Sequence, residues 1–249
     1  MHVYISIVSH GHEDLISLND SIIEINKSSN VTFVVKDNLK SKELESYCCS
    51  NELCYIISDG VMGFGENNNF VFEYCKANGM KGDDWFITMN PDVIISSLEF
   101  DNLFLELGCL NKGIYAINLF NNKELTNDEF SLRRFPAKIN LINMFIGRSV
   151  TKSYDKSRLN DKSNVDWASG AFLVFNSELY EKLKGFDASY FMYYEDVDIC
   201  YRAKNEYNQS VKFLSNVRAF HEGAYKNRNI LSKHFRWYLR SLLIFLSRV

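Results

Sequence analysis

The chain has 249 residues, 46% of them hydrophobic and 14% aromatic, and a formal net charge of −3. That is enough apolar material for one large α/β core or two small ones. The charge balance argues against a general nucleic-acid binder, which is normally basic. No apolar run approaches the roughly 18 residues of a membrane span. The N-terminal MHVYISIVSHGHE lacks the basic start and small-residue cleavage site of a secretory leader, so it reads as a first strand and the chain as cytoplasmic. The average charge hides a basic end: Gly223 to Val249 contains no Asp or Glu, while Lys226, Arg228, Lys233, Arg236, Arg240 and Arg248 are all basic. Cys48, Cys49, Cys54, Cys75, Cys109 and Cys200 lack paired C-x-x-C spacing and read as buried, reduced thiols.

In chain order, short β-branched and aromatic runs alternate with helical patterns, the signature of an α/β sheet with helices on its faces. Strands are predicted at VYISIV (3–8), VTFVV (31–35), CYII (54–57), WFITM (85–89) and GIYAINL (113–119). Between them Leu15, Leu18, Ile22 and Ile25 recur at helical spacing, as do Phe70, Val71, Tyr74 and Cys75. Such a first half is Rossmann-like and binds ligands at the carboxyl ends of its strands. Polar residues collect at those ends: Ser9 and His10, Asp37 and Asn38, GFGENNN, and NPD. The stretch SVTKSYDKSRLNDKSN (149–164) has no periodicity and reads as a mobile loop between halves. A strand GAFLVF and a helix from about Ser177 to Lys184 follow.

Three stretches carry chemistry. MGFGENNN (62–69) is neither a P-loop nor a dinucleotide fingerprint, yet a glycine turn opening a helix suits close approach by a diphosphate as well as a plain turn. NPD places Asp92 at a strand end, where it either holds a hard cation or caps the next segment. FMYYEDVDIC (191–200) opens a helix on three acids. Asp198 pairs with Arg202 four residues on, at the helix surface, and Glu195 suits the positive end of the helix dipole. Asp196 is left without a local partner and is a candidate general base. His221 lies in VRAFHEGA, at the end of an apolar run.

In order and spacing, GFGENNN, NPD, the run from Trp167 to Arg202 and VRAFHEG resemble inverting family 2 glycosyltransferases of the GT-A fold, over roughly residues 3–240. The run from Trp167 to Arg202 is most similar to bacterial rhamnosyltransferases that build O-antigen and related surface polysaccharides. The resemblance implies a GT-A catalytic domain over 1–228, a mixed central sheet, and a basic amphipathic helix over 229–249. It assigns Asp196 as the base and Asp92 with His221 as ligands of Mn²⁺ or Mg²⁺, nitrogen ligation favouring Mn²⁺. It puts Ser9, Asp37, Gly63, Asn68, Asn69 and Asn90 on the nucleotide side, and Trp167, Ser169, Gly170 and Glu195 around the donor sugar and acceptor. Asn90 stands where relatives often carry an acid, and Val61 where they carry Asn.

The implied reaction moves L-rhamnose from dTDP-β-L-rhamnose to a hydroxyl of a polyprenyl-diphosphate-linked sugar, at the inner face of the cell membrane. In the tail helix, Leu231, Phe235, Tyr238, Leu239, Leu242 and Leu246 share one side and Lys233, Arg236 and Arg240 another. Such a helix either lies on anionic lipid or packs on the domain or a second subunit. Two other readings stand: the same fold with UDP-galactose, UDP-GlcNAc or UDP-galactofuranose, and a non-catalytic nucleotide-sugar-binding subunit. The sequence leaves open a homo-oligomer.

Overall fold

The computed structural model of the chain describes residues 1–137, 150–223 and 232–249. Its centre is a mixed sheet. β1 (Val3–Ser9), β2 (Val31–Asp37), β3 (Cys54–Ile57) and β4 (Trp85–Met89) run parallel in the order β3-β2-β1-β4. Beyond β4 the direction changes, because β10 (Phe172–Asn176) inserts antiparallel between β4 and β6 (Ile114–Phe120). β11 (Val211–His221) then adds parallel to β6 and carries β5 (Val93–Ile94) and β8 (Asn164–Val165) on its other edge. A separate ribbon joins β7 (Leu132–Arg133) to β9 (Trp167–Ala168). The five strand runs and GAFLVF are found where the sequence put them, while the long β11 and the short β5, β7, β8 and β9 are additional.

The central strands are apolar throughout because both faces of the sheet are covered. Alternate side chains therefore enter different cores: Val34 and Phe86 go to one face, Phe33, Val35, Trp85 and Ile87 to the other. α1 (Glu13–Ser17), α2 (Asp20–Asn26), α3 (Lys42–Ser50) and α5 (Ser97–Leu107) cover the second face. α4 (Phe64–Ala77), α6 (Ser177–Lys182), α7 (Glu195–Tyr207) and α8 (Lys233–Leu246) cover the first.

The single helical stripe of Leu15, Leu18, Ile22 and Ile25 is broken. Asn19 leaves helical geometry to donate Nδ2 to Val93 O at 3.0 Å, so Ile16, Ile22 and Ile25 are buried and Leu18 is 80% exposed. Nor is 150–164 a free loop. Lys156 is buried and donates Nζ to Asn118 Oδ1 (3.0 Å) and Leu119 O (2.6 Å), while Tyr154 N bonds Leu132 O at 2.9 Å. An ammonium held by β6 in this way anchors the stretch against the sheet; Ser149 lies outside the described residues. All six thiols are free, but Cys49 and Cys109 are exposed and Cys54 only half-buried, so just Cys48, Cys75 and Cys200 are buried as expected.

α8 belongs to the same core, which takes in Leu242, Phe245 and Leu246. Leu231, Lys226 and Arg228 lie outside the described residues. The helix also holds the entry to α7. Tyr193 (φ 70°) and Tyr194 (φ 68°) are consecutive residues in the left-handed region, an uncommon geometry for bulky side chains. Tyr193 Oη is 3.0 Å from His234 Nδ1, and the Tyr194 ring packs on Tyr238 and Phe245.

The Asp198–Arg202 pair forms, but inside the fold rather than on the surface. Asp198 is buried and accepts from Arg202 Nε (2.7 Å), Tyr190 Oη (3.2 Å) and Arg248 Nη1 (3.2 Å) at the end of α8. Removing one partner of a buried pair leaves the other charge uncompensated. Asp198→Ala should therefore lower unfolding free energy by about 3 kcal/mol in a denaturant titration. Arg248→Ala, which removes a more exposed partner, should cost about 1 kcal/mol or less.

Candidate active site

The site is built where β4 ends. Asn90 N donates to Ala171 O at 2.8 Å, so the NPD turn continues the ladder with the chain entering β10. Pro91 fixes the turn and β5 follows, paired so that Val93 lies opposite His221. That register brings His221 Nε2 to 3.3 Å from Asp92 Oδ1, while Gly223 N donates to Asp92 Oδ2 at 3.3 Å. On its other edge His221 Nδ1 lies 3.0 Å from Oε2 of Glu129, a buried acid with no local sequence signal. Burial alone would lower the imidazole pKa. The hydrogen bonds to Asp92 and Glu129, with their charges, outweigh it and push the value up to about 9. Burial likewise raises the Asp92 pKa, and the His221 contact more than reverses it.

Asp92 and His221 suit a divalent cation. Adjacent ligands of an octahedral ion at about 2.1 Å stand about 3.0 Å apart, close to the 3.3 Å between Asp92 Oδ1 and His221 Nε2. Glu129 faces the opposite edge of the ring, and among the described residues no three such side chains converge on one point. A cation held by this pair would need further oxygen ligands from elsewhere, such as a diphosphate supplies.

The other pole is Asp196, half-buried in the first turn of α7. Its Oδ2 accepts from Gly170 N at 3.0 Å and its Oδ1 from Val197 N at 2.8 Å, which fixes the carboxylate and leaves lone pairs on both oxygens. Burial raises its pKa, and it titrates together with Glu195, also raised by burial and by the charge of Asp196. Glu195 is not on an open cleft: it is buried and its Oε2 has no hydrogen-bond partner among the described residues. Gly170 is packed so that a Cβ would meet the Phe64 ring at 3.2 Å and Asp196 Cβ at 3.4 Å. Ser169 N bonds Ser131 O at 2.9 Å. Trp167 donates Nε1 to Arg134 O at 3.0 Å, with the Arg133 guanidinium 6.0 Å from its ring.

The glycine turn is used first for packing. A Cβ on Gly63 would lie 2.1 Å from Phe191 O, so the absence of a side chain lets α4 start against the segment leading into α7, where Phe64 N bonds Phe191 O at 3.1 Å. Asn69 is committed to the fold, with Oδ1 accepting from Tyr180 Oη (2.7 Å) and Phe186 N (2.9 Å). Asn68 accepts from Ser6 Oγ at 2.7 Å, tying α4 to β1. Neighbouring Asn67, which the sequence reading did not select, has a buried Oδ1 without a partner among the described residues. Asp37 is buried and accepts from Leu39 N (2.8 Å), Ser41 N (2.6 Å) and Tyr55 Oη (2.9 Å), so it reaches a ligand only if this turn shifts. Ser9, also buried, accepts from His12 N at 3.2 Å.

The segment from Glu129 to Arg133 links the two poles: Glu129 bonds His221, Ser131 bonds Ser169, and the Arg133 charge acts on Asp196. Ser131 Oγ is buried without a partner among the described residues, and such atoms are uncommon in folded proteins. Residue alternation in NDEFSLRRF gives no local sign of these contacts, since each partner is distant in sequence.

No protein-family model matches the chain. It is 34% identical to the rhamnosyltransferase WbbL of Escherichia coli K12, over 99% of this chain and 93% of that protein. It is 28% identical to an N-acetylglucosaminyl-diphospho-decaprenol L-rhamnosyltransferase of Mycobacterium tuberculosis, over 66% of this chain but only 55% of that protein. Solved structures with the same fold include GalNAc-T7 with UDP, GalNAc and Mn²⁺ (TM-score 0.68, 12% identity, 98% of this chain and 48% of that one). Another is the Pyrobaculum calidifontis mannosyltransferase PcManGT with GDP-Man and Mn²⁺ (TM-score 0.59, 13% identity, 96% of this chain and 60% of that one). A GT-A fold and near full-length identity to a rhamnosyltransferase lead to one conclusion: the chain belongs to the rhamnosyltransferases of glycosyltransferase family 2.

Proposed function

We propose that this glycosyltransferase moves L-rhamnose from dTDP-β-L-rhamnose to a hydroxyl of a lipid-linked saccharide, with inversion at the anomeric carbon. The observation that carries the mechanism is Asp196, whose carboxylate is fixed by Gly170 N and Val197 N with lone pairs to spare. As the acceptor oxygen bonds to the anomeric carbon, Asp196 takes its proton, and the bond from that carbon to the dTDP oxygen breaks on the opposite face. A raised pKa strengthens Asp196 as a base. No covalent sugar-enzyme intermediate is needed. Asp92 and His221 would hold the divalent cation, which when bound neutralises charge on the departing diphosphate. Asn90, Gly63, Asn68 and Ser9 shape the nucleotide side, and Asp37 and Asn69 brace it. Trp167, Ser169 and Gly170 form the sugar-side wall, which Glu195 supports from behind. The lipid-linked acceptor is supported by the mycobacterial relative, an L-rhamnosyltransferase acting on N-acetylglucosaminyl-diphospho-decaprenol. Another nucleotide sugar, such as UDP-galactose, UDP-GlcNAc or UDP-galactofuranose, is the competing donor.

Transfer should be seen with dTDP-β-L-rhamnose and a GlcNAc-diphospho-polyprenol, and not with the uridine donors. Asp196→Asn should lower kcat by about 100-fold or more with dTDP affinity unchanged. Activity retained in this variant would remove the base assignment.

A proton on His221 Nε2 competes with a cation there. With the imidazole pKa near 9, apparent Mn²⁺ affinity should climb as pH rises from about 6.5 and level off above about 9. Calorimetric Mn²⁺ titrations at several pH values check this, and a flat profile would exclude His221 as a ligand.

No helix among the described residues is long and apolar enough to cross a membrane. Lys233, Arg236, Arg240 and Leu243 are exposed at helical spacing along α8, away from its buried Leu242, Phe245 and Leu246. We read that stripe as the contact with anionic lipid at the cytoplasmic membrane face. The double variant Arg236→Glu, Arg240→Glu should sediment less with phosphatidylserine vesicles at unchanged Tm. Undiminished sedimentation would refute the contact.

A further inference from the structure

We infer that Glu129 is a positioning residue for the cation site, acting through His221; the inference rests on the reading of Asp92 and His221 as cation ligands. His221 has two ring nitrogens with different neighbours. Nε2 faces Asp92 Oδ1 at 3.3 Å, and Nδ1 faces Glu129 Oε2 at 3.0 Å. A histidine binds a cation through one nitrogen only, and the proton must then sit on the other. A carboxylate on Nδ1–H fixes that tautomer, holds the ring plane, and makes Nε2 a stronger donor to the ion.

Glu129 is placed to do this. Its side chain is 6% exposed, and its backbone is fixed where Glu129 N bonds Leu119 O at 3.1 Å beside the Phe120–Asp128 bridge. It reaches His221 from 92 positions away in sequence, so the contact comes from the fold and not from a local turn. The charges around it come from two elements: Asp128 beside it, and the buried Lys156 ammonium held on Asn118 and Leu119. A cavity of about 220 Å³ is lined in part by Glu129, Phe130, Tyr154 and Lys156. Because Glu129 is on the opposite edge of the imidazole from Asp92, it orients the ligand without joining the coordination shell.

The test is Mn²⁺ binding by the full chain with saturating dTDP, read as free Mn²⁺ by electron paramagnetic resonance. Glu129→Ala should weaken Mn²⁺ binding 10- to 100-fold. Glu129→Gln should weaken it less, because its amide oxygen still accepts from Nδ1–H. A merely structural Glu129 would lower Tm while leaving the Mn²⁺ affinity of the folded protein unchanged. His221→Ala is the reference. If it loses Mn²⁺ and Glu129→Ala stays within twofold of wild type, the positioning role is overturned and the cation site stands. If His221→Ala also binds normally, the cation site itself fails. Should Glu129→Ala not fold, Glu129→Gln decides with a second readout, the imidazole Nδ1–H resonance of His221 in the Mg²⁺–dTDP complex. That proton should be downfield and protected in wild type and move upfield in Glu129→Gln; an unmoved resonance with unchanged affinity overturns the proposal.

Discussion

The hydrogen bond from Asn90 N to Ala171 O carries the β4–β10 ladder one step past its last paired residues, Met89 and Phe172. Both poles of the site hang from that step. Two residues along one chain is Asp92, and the neighbouring residue on the other is Gly170, whose N–H fixes Asp196. The antiparallel insertion of β10 thus sets the places of Asp92 and Asp196, the proposed cation ligand and proton acceptor, by a single register. A slip of one residue would turn every side chain of β10 to the opposite face.

The right-hand strands fix the remaining partner. β11 lies parallel to β6 and antiparallel to β5, and its last residue is His221, opposite Val93. The segment after β6 returns Glu129 to the other side of the imidazole. His221 is therefore gripped from two directions by acids from separate parts of the chain. Such an arrangement lets the ring carry charge when protonated and present one defined nitrogen when it is not.

α8 has a part in the site that its basic composition does not suggest. The residues before α7 pass through two consecutive left-handed tyrosines, a conformation held by packing rather than by local preference. Tyr238, Phe245 and His234 supply that packing, and Ser241 Oγ bonds Met192 O at 2.9 Å. The buried face of the helix thereby supports the first turn of α7, where Asp196 sits, while its basic residues Lys233, Arg236 and Arg240 are exposed on another side.

The strands were legible because their signals are local apolar runs, whereas Asp92, Asp196 and His221 were singled out by the family resemblance, their local signals alone leaving capping and structural roles open. Glu129 was not legible, since its partner lies 92 residues away. Nor was the buried setting of Asp198, which depends on Arg248 at the far end of the chain. The break at Asn19 needed a bond to Val93 across the fold, and the helical spacing of Leu15 and Leu18 gave no hint of it. The asparagines of GFGENNN looked alike in sequence, and only tertiary contacts separate the braced Asn69 from Asn67, whose buried Oδ1 has no partner among the described residues. The most direct measurement is anomalous diffraction at the manganese edge from crystals soaked with Mn²⁺ and dTDP. One peak bonded to Asp92 and to His221 Nε2, with Glu129 still on Nδ1, is the expected result; a peak away from this pair, or one ligated by Glu129, would contradict the account.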